Sequence, residues 1–387
     1  MRLVLERTLF APKSPQEARE LLRLLTSAMD DVVPHAVQTD PPYIIGADNQ
    51  ETDAWLAGRQ TEEAAALHAV LEQGNLLASG ARGVAAVDPA FPPSWRFAGA
   101  LEVRVERRAA SDWGALRLTL TDALELVREP VHLVLENEFN DFAFVCHLAG
   151  PTLGPVLRQL HAAPGRLHVH GGGGGQVKNW LDALIAPPLT EAKWRRALRA
   201  WVFFDQDSGD PNACHPSQSA VDLMDFCELV NTSFFKNVTW NCLRRREIES
   251  YVPDGGLRAE ATVAHATLIQ QITDWRRDPN FASFAWAFDL KLGLRGDLLS
   301  NLPDATREAL KKRTLPLVNS MLRAPFGALT PADVAALDRG FGKHRLNTAL
   351  NADPAPGWTS DIPAEYDRGP QHQAPRPALI QSLFDRI

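Results

Sequence analysis

The chain has 387 residues, of which 45% are hydrophobic and 22% charged, and its formal net charge is −7. This composition predicts an ordinary globular protein with two or three domains, and the acidic balance argues against a protein that coats polyanions. No run of ~18 uncharged apolar residues occurs, so no membrane span is expected. Four cysteines without CxxC spacing predict free thiols in a reducing cytoplasm rather than disulfides or a structural zinc.

Residues 1–127 predict an N-terminal accessory domain of mixed α+β type. In "SPQEARELLRLLTSAM" Ser14 is placed to cap a helix, with Glu17 three positions later and leucines on one helical face. "TEEAAALHAVLEQGN" predicts a second helix that ends near Gly74, and "ALEVRVERRA" alternates as a strand does. No chemical motif occurs in this part, which favours a structural or partner-binding module.

Residues 128–254 alternate between short apolar runs and helical stretches. The runs are "VHLVL", "RLHVH", "WVFF" and "NVTWNC", and helix-like segments separate them. This alternation predicts βαβ units and a largely parallel sheet buried on both faces. Acidic or glycine residues follow the runs: Glu136, the five glycines from Gly171, Asp205 and Glu249. Because ligands bind at the carboxyl edge of such sheets, we expect these residues to converge there.

The remainder of the chain predicts a helical region over 255–354 and a Pro-rich, irregular tail over 355–387. The helical segments are "AHATLIQQITDW", "ATREALKKRTLPLVNSMLRA" and "TPADVAALDRGF", the last with Thr330 as N-cap and Pro331 at the first helical position. We find no internal repeats.

The stretch "WVFFDQDSGD" permits several interpretations by itself. An EF-hand is excluded, because Gly209 occupies the fifth position of the loop and Pro216 the place of the bidentate glutamate. A haloacid-dehalogenase-like phosphatase, with Asp205 as nucleophile before Asp207, would expect Thr or Val at position 209. An acid pair that caps a turn is the third interpretation. The neighbouring strands are needed to decide.

Taken together, Glu136 after the first strand, Asp205-x-Asp207 after the third and "RRREIESY" after the fourth resemble the Toprim fold of topoisomerases, primases and nucleases. The closer likeness is to Toprim nucleases of bacterial anti-phage defence, including the overcoming-lysogenization-defect family. That family has a Glu, a DxD and an "RxxExY"-like element in this order, matched by Arg246, Glu249 and Tyr251 in the last. The likeness covers roughly residues 130–254, about a third of the chain.

The resemblance implies a central Toprim domain with Mg²⁺ or Mn²⁺ held by Glu136, Asp205, Asp207 and Glu249. Many Toprim proteins carry an Asp four residues after the first Glu. Here Asn140 occupies that position, so Asp141 and Glu138 remain open as a further ligand. For the downstream lysine of the family, the stretch "DLKLGLRGDLL" offers Lys291 and Arg295. We expect substrate phosphate near Gly171 and Gly172, whose flexibility lets backbone approach the site, and near Arg244 and Arg246.

The function predicted on these grounds is metal-dependent cleavage of DNA or RNA by an effector of anti-phage defence. Such effectors work with an ATPase sensor, and this sequence has no GxxxxGK[ST] motif. An ATPase partner is therefore expected, membrane contact is not, and a homo-oligomer is compatible with the sequence. The alternatives are the phosphatase around Asp205 and Asp207, nucleotidyl transfer as in primases, and a non-catalytic Toprim scaffold that binds nucleic acid or a partner.

Overall fold

The computed structural model contains two four-stranded, all-parallel sheets flanked by helices. Each sheet has its first strand between its second and third, so the two have the same strand order. The structure describes residues 1–29, 36–44, 48–78, 101–207, 216–233, 235, 238–243, 245–279, 282–293, 340–351, 361–367 and 376–387.

The first sheet is built from β1 (Arg2–Glu6), β2 (Ala36–Asp40), β3 (Glu102–Val105) and β4 (Arg117–Leu118) in the order β2-β1-β3-β4. Its helices are α1 (Pro15–Ser27), α2 (Gln50–Ala57), α3 (Thr61–Ala78) and α4 (Leu120–Arg128). The expected α+β character is corrected by this sheet, because every strand pairing in it is parallel.

The start of α1 agrees with the local sequence signal, whereas the end of α3 does not. The predicted cap of α1 is confirmed, since Ser14 Oγ accepts a hydrogen bond of 3.1 Å from the Glu17 amide. The predicted end of α3 near Gly74 is wrong, because the helix continues to Ala78. A Cβ atom at Gly74 would lie 1.7 Å from the carbonyl oxygen of Val37. This glycine therefore lets α3 pack closely on β2 and does not terminate the helix.

The second sheet is built from β5 (Val131–Leu135), β6 (Leu167–His170), β7 (Ala200–Phe204) and β8 (Thr239–Cys242) in the order β6-β5-β7-β8. Its helices are α5 (Glu138–Leu148), α6 (Gly150–Ala162), α7 (Gly174–Ile185), α8 (Glu191–Leu198) and α9 (Gln218–Ser233). The predicted parallel α/β sheet is confirmed. Every residue of β5 and β7 is buried, as a sheet covered on both faces requires.

The C-terminal helices pack against one face of this second sheet. They are α10 (Asp254–Ala259), α11 (Ala266–Arg277), α12 (Ala282–Ala287), α13 (Lys343–Asn351), α14 (Asp361–Asp367) and α15 (Arg376–Phe384). Leu268, Leu346 and Leu383 share one hydrophobic core with Leu133 and Phe203. The described helices of the region after residue 254 are thus part of the second domain's core, and residue 254 marks no boundary between cores in this part of the chain.

The prediction of an irregular tail after residue 355 is wrong in its described parts. Helices α14 and α15 bury Ile362, Tyr366, Leu379 and Leu383 in the core of the second sheet. These helices are short and lie among prolines, so their apolar spacing is hard to distinguish from a loop. The helix predicted over 305–324, and most of the one predicted over 330–341, lie outside the described residues.

The strand order creates a crevice at the carboxyl ends of β5 and β7. These two strands are neighbours, with Leu135 opposite Phe203. After β5 the chain crosses to β6 on one side, and it later returns to β7 on the other. Connections that leave adjacent strands in opposite directions open a crevice in which ligands of parallel sheets bind. Among the helices that the structure describes, none has the length and apolar character needed to cross a membrane.

Candidate active site

A cleft of about 530 Å³ lies at this carboxyl edge. The charged side chains among its lining residues are seven carboxylates and one ammonium group: Glu136, Glu138, Asp141, Asp205, Asp207, Glu247, Glu249 and Lys291. All four residues expected to bind metal, and Lys291, therefore line the same cleft, while Arg295 lies outside the described residues. The other lining residues include Asn137, Phe139, Asn140, Ile248 and the glycines from Gly171 to Gly173.

The strand ends position the first three acids. Glu136 directly follows β5, and Asp205 directly follows β7, so both carboxylates stand at the crevice. Asp207 has a φ of 50°, in the left-handed region that costs a non-glycine residue conformational energy. Its amide donates a 2.8 Å hydrogen bond to the carbonyl oxygen of Arg246. This contact holds the chain after β7 against the segment that carries Glu247 and Glu249.

The start of α5 places Asp141 and Glu138, the two candidates for a further ligand, in different surroundings. The side chain of Asn137 caps the helix, and its backbone N–H donates a 2.9 Å hydrogen bond to Asp141 Oδ2. This bond turns the buried Asp141 carboxylate toward the cleft. Glu138 lies at the exposed rim. Asn140, at the position where the family carries an Asp, instead donates to Asn347 Oδ1 at 2.7 Å. Asp141 thus joins the buried acids and Asn140 holds α13.

The segment after β8 adds Glu247 to the cleft, a residue that was not among those expected from the sequence. Lys291 Nζ lies 2.9 Å from Glu247 Oε2 and 3.1 Å from Glu249 Oε1. Glu247 is 5% exposed and lines the cleft beside Glu249. The spacing of the pair Glu247-x-Glu249 repeats that of Asp205-x-Asp207, and this was the signal available in the sequence.

Backbone contacts hold the loop that carries Lys291. Phe341 donates from its amide to the carbonyl oxygen of Leu290 at 2.7 Å, and Gly342 donates to that of Lys291 at 3.0 Å. Gly340 adopts a φ of 58°, and a Cβ atom there would lie 2.8 Å from the Lys291 carbonyl oxygen. Because a side chain at position 340 would collide with this loop, the glycine is needed to place the ammonium group in the cleft.

Burial and mutual repulsion perturb the acids. Burial, followed by the nearby charges of Asp207 and Asp141, raises the pKa of Glu136 to about 8. Burial also raises the pKa of Asp141 to about 7 and that of Glu247 to about 8. For Asp205 burial and the surrounding acids raise the pKa well above its usual value. At neutral pH the cluster therefore favours a bound proton or a bound cation over full ionisation.

Several carboxylate oxygens in the cleft are buried without a hydrogen-bond partner in the described part of the protein. They are Asp205 Oδ1, Glu247 Oε1 and Glu249 Oε2. A buried, unpaired carboxylate oxygen is costly, and native proteins retain such atoms where an ion, a water or a substrate meets them. These oxygens are the hard ligands that Mg²⁺ and Mn²⁺ prefer.

The arrangement fits an open metal site and not a closed one. Within the described ranges, no three His, Cys, Asp or Glu side chains stand in an arrangement ready to hold one metal ion. Mg²⁺ needs no such set, since it usually keeps several waters and takes one or two carboxylates plus substrate phosphate oxygens. The donor chemistry and the unpaired oxygens are therefore compatible with Mg²⁺ or Mn²⁺ shared between protein and substrate.

In the glycine loop, two backbone N–H groups already bond to Glu136 and are not free to bind a substrate phosphate. Gly172 and Gly173 donate their N–H groups to the carbonyl oxygen of Glu136 at 3.0 and 2.5 Å. A Cβ atom at Gly171 would lie 2.4 Å from the Glu138 amide nitrogen. Gly171 and Gly172 line the cleft as expected, but the Gly172 amide is already bonded. The close approach that the glycines permit is to the start of α5.

The arginines expected at substrate phosphate are placed differently. Arg244 lies outside the described residues. Arg246 is 3% exposed and its Nη2 lies 3.5 Å from Asp289 Oδ2, so its guanidinium is buried beside the cleft and does not line it. Tyr251 is fully buried and accepts a 3.1 Å hydrogen bond from the Arg245 amide. The arginine and tyrosine of this motif support the segment that carries the two glutamates.

Comparison with known proteins adds no identity to this geometry. The chain matches no family model, no curated protein and no solved structure.

Proposed function

We propose that this protein is a metal-dependent nuclease that hydrolyses phosphodiester bonds of DNA or RNA in the cleft at the end of β5 and β7. The observation that carries the proposal is the set of buried and partly buried carboxylates at the carboxyl ends of β5 and β7, three of which have a buried oxygen without a hydrogen-bond partner in the described part of the protein. Buried carboxylates that repel one another destabilise the folded protein unless protons or a cation neutralise their charge. The order of the acids along the chain, which resembles that of Toprim nucleases, gives the proposal its reaction class.

The acids divide into two groups by the charge that faces them. Glu247 and Glu249 each contact the Lys291 ammonium, whereas no ion pair is recorded for Glu136, Asp205 or Asp141 among the described residues. We propose that one or two of the carboxylates of Glu136, Asp205 and Asp207 would hold Mg²⁺ or Mn²⁺ together with water and substrate phosphate, with Asp141 beside them. When bound, the ion would neutralise charge on the attacked phosphate and activate a water near neutral pH.

Lys291 has a separate role in the proposed reaction. Burial alone would lower the pKa of this lysine, but the carboxylates of Glu247 and Glu249 raise it above its usual value, so the ammonium stays charged. Held by two carboxylates, it is positioned to donate a hydrogen bond to a phosphate oxygen as negative charge develops there. Glu249 keeps one oxygen free of the lysine and is available to a water or to the ion.

The role in the cell follows from the resemblance. We propose that the nuclease is an effector of anti-phage defence that a separate ATPase activates. No P-loop motif occurs in this sequence. Phage plating on cells that express the protein with and without neighbouring ATPase genes tests this part, and equal plating in all cases would oppose it.

The experiment that tests the reaction uses purified protein with plasmid, single-stranded DNA and tRNA, each in Mg²⁺, Mn²⁺ or EDTA. We expect cleavage with a divalent cation, none in EDTA, and loss of cleavage in Asp205→Asn with an unchanged fold. Asp182→Asn is the matched control, because Asp182 is a partly exposed aspartate on α7 that pairs with Lys178 outside the cleft.

The result also separates the alternatives. Turnover of p-nitrophenyl phosphate without cleavage of any nucleic acid would favour the phosphatase. Cleavage by Asp205→Asn at the parental rate would refute the proposed site. Binding of nucleic acid or of a partner without cleavage in either metal, with the ATPase present, would favour the non-catalytic scaffold.

A further inference from the structure

Phe139 presents an aromatic ring to solvent at the rim of the acidic cleft. The residue is 72% exposed and belongs to the lining of the cleft. Among the aromatic residues whose burial the structure describes, it alone falls in the exposed class. Single exposed apolar residues are common, so it is the position of this exposed ring in the lining of the proposed active-site cleft that points to a contact that forms on binding.

The backbone beneath this ring is held in place. Phe139 is the second residue of α5, and its amide donates a 3.1 Å hydrogen bond to the capping Asn137 Oδ1. The next residue, Asn140, donates to Asn347 at 2.7 Å and accepts from Asn351 at 2.9 Å, which ties the helix start to α13. A ring on such a support loses little conformational freedom when a ligand covers it.

The acidic lining of the cleft cannot bind nucleic acid mainly through Lys and Arg contacts to phosphate. Its described lining carries seven carboxylates against the single ammonium of Lys291. Duplex-binding grooves gain affinity from many Lys and Arg contacts to phosphate, and this lining offers none beyond that one. Beyond the phosphate that the metal ion and Lys291 would meet, a ligand here must gain affinity from contacts other than Lys and Arg pairs with phosphate, and an exposed ring supplies base stacking.

We propose that Phe139 is the stacking platform for an unpaired base next to the phosphate bound in the cleft, so that the enzyme acts on single-stranded nucleic acid. This inference rests on the proposed function, because it takes the cleft as the place of a phosphate. In a duplex both faces of a base are covered by its neighbours, whereas an unpaired base has a free face. DNA and RNA share that face, and matched oligonucleotides of both kinds distinguish them.

The test measures binding separately from cleavage. Fluorescein-labelled single-stranded DNA, its RNA counterpart and the DNA duplex are titrated with protein in Ca²⁺ and followed by anisotropy, and gels of the same samples report whether the strand is intact. We expect wild type to prefer single strands, Phe139→Ala to bind them about tenfold to a hundredfold more weakly, and Phe139→Trp to retain affinity. Leu229→Ala, which removes an exposed leucine of α9 outside the cleft lining, is the control.

An abasic scan along the strand identifies the stacked base. At one position, an abasic site should weaken binding by the wild type by a factor similar to that of Phe139→Ala. The same abasic site should weaken binding by the Phe139→Ala variant little further. The inference is overturned if duplex binds as tightly as single strand, if Phe139→Ala binds like wild type, or if no position is coupled to it. A Phe139 effect on capture of a partner protein with no effect on oligonucleotides also overturns it.

Failure of the inference differs from failure of the proposed function. Cleavage in Mg²⁺ that depends on Asp205 but not on Phe139 would leave the nuclease and remove the stacking. Binding coupled to Phe139 with no cleavage in any metal, with the ATPase present, would leave the stacking and remove the nuclease.

Discussion

Replacement of Glu136 by Gln tests whether the acids of the cleft repel one another. The pKa of Glu136 is raised from 4.5 to about 8 by burial and by Asp207 and Asp141. Since the folded state holds this proton more tightly than the unfolded state, stability present at low pH is lost as pH rises through about 8. Above that pH the ionised side chain destabilises the metal-free protein by about 5 kcal/mol at most.

Glu136→Gln removes the charge and keeps the shape of the side chain. The buried amide has its own desolvation cost, so we expect the metal-free variant to be more stable than wild type by about 2 to 5 kcal/mol above pH 8 and to differ little near pH 5. The melting temperature should rise by several degrees in EDTA. Mg²⁺ should stabilise wild type and have a smaller effect on the variant, because an amide is a weaker ligand than a carboxylate.

Urea and thermal unfolding between about pH 5 and pH 9, in EDTA and in Mg²⁺, measure these differences. Glu138→Gln is the matched control, since it removes the same charge from the exposed rim of the cleft. The reasoning is refuted if Glu136→Gln loses stability with pH as steeply as wild type, or if Glu138→Gln produces the same gain.

Three further predictions concern other groups. Lys291→Met should lower the unfolding free energy at neutral pH by about 3 kcal/mol, because the two glutamates beside Lys291 lose their partner, and the loss in urea should shrink at low pH. Asn140→Ala should cost about 2 kcal/mol by leaving its partners on α13 unpaired, and unchanged hydrogen exchange over Lys343–Asn351 would contradict this. Burial and two neighbouring histidines lower the pKa of His170 from 6.5 to about 4, so the unfolded state binds the extra proton and stability should fall as pH drops through that range; His170→Asn should flatten this fall in urea unfolding.

The alternation of short apolar runs and helices was sufficient to predict the second sheet. Parallel strands require crossovers, and their carboxyl ends share one edge, so residues that follow β5 and β7 must lie near each other. This is why Glu136, Asp205 and Asp207 could be assigned to one cleft from their positions in the sequence. The local signal was also enough for α1, whose cap lies within four residues of sequence.

Contacts between distant segments were not visible in the sequence. The helices after residue 355 have too few residues for a clear period, and only the core they complete reveals them. In the sequence Gly74 predicts the end of a helix, yet in the structure a glycine is required there because α3 packs too closely on β2 for a side chain. The parallel pairing of the N-terminal strands likewise depends on which strands become neighbours.

The same division applies within the cleft. The sequence by itself determined which acids follow strands, because strand ends are local features and parallel sheets gather them at one edge. Only the tertiary structure decided that Asp141 and not Glu138 is buried, that Glu247 joins Glu249 on Lys291, and that the Gly172 amide holds Glu136. The contact of Asp141 is local but depends on where α5 begins. The other two outcomes depend on hydrogen bonds between segments far apart in the chain, from residues 341 and 342 to the Lys291 loop and from Gly172 to Glu136.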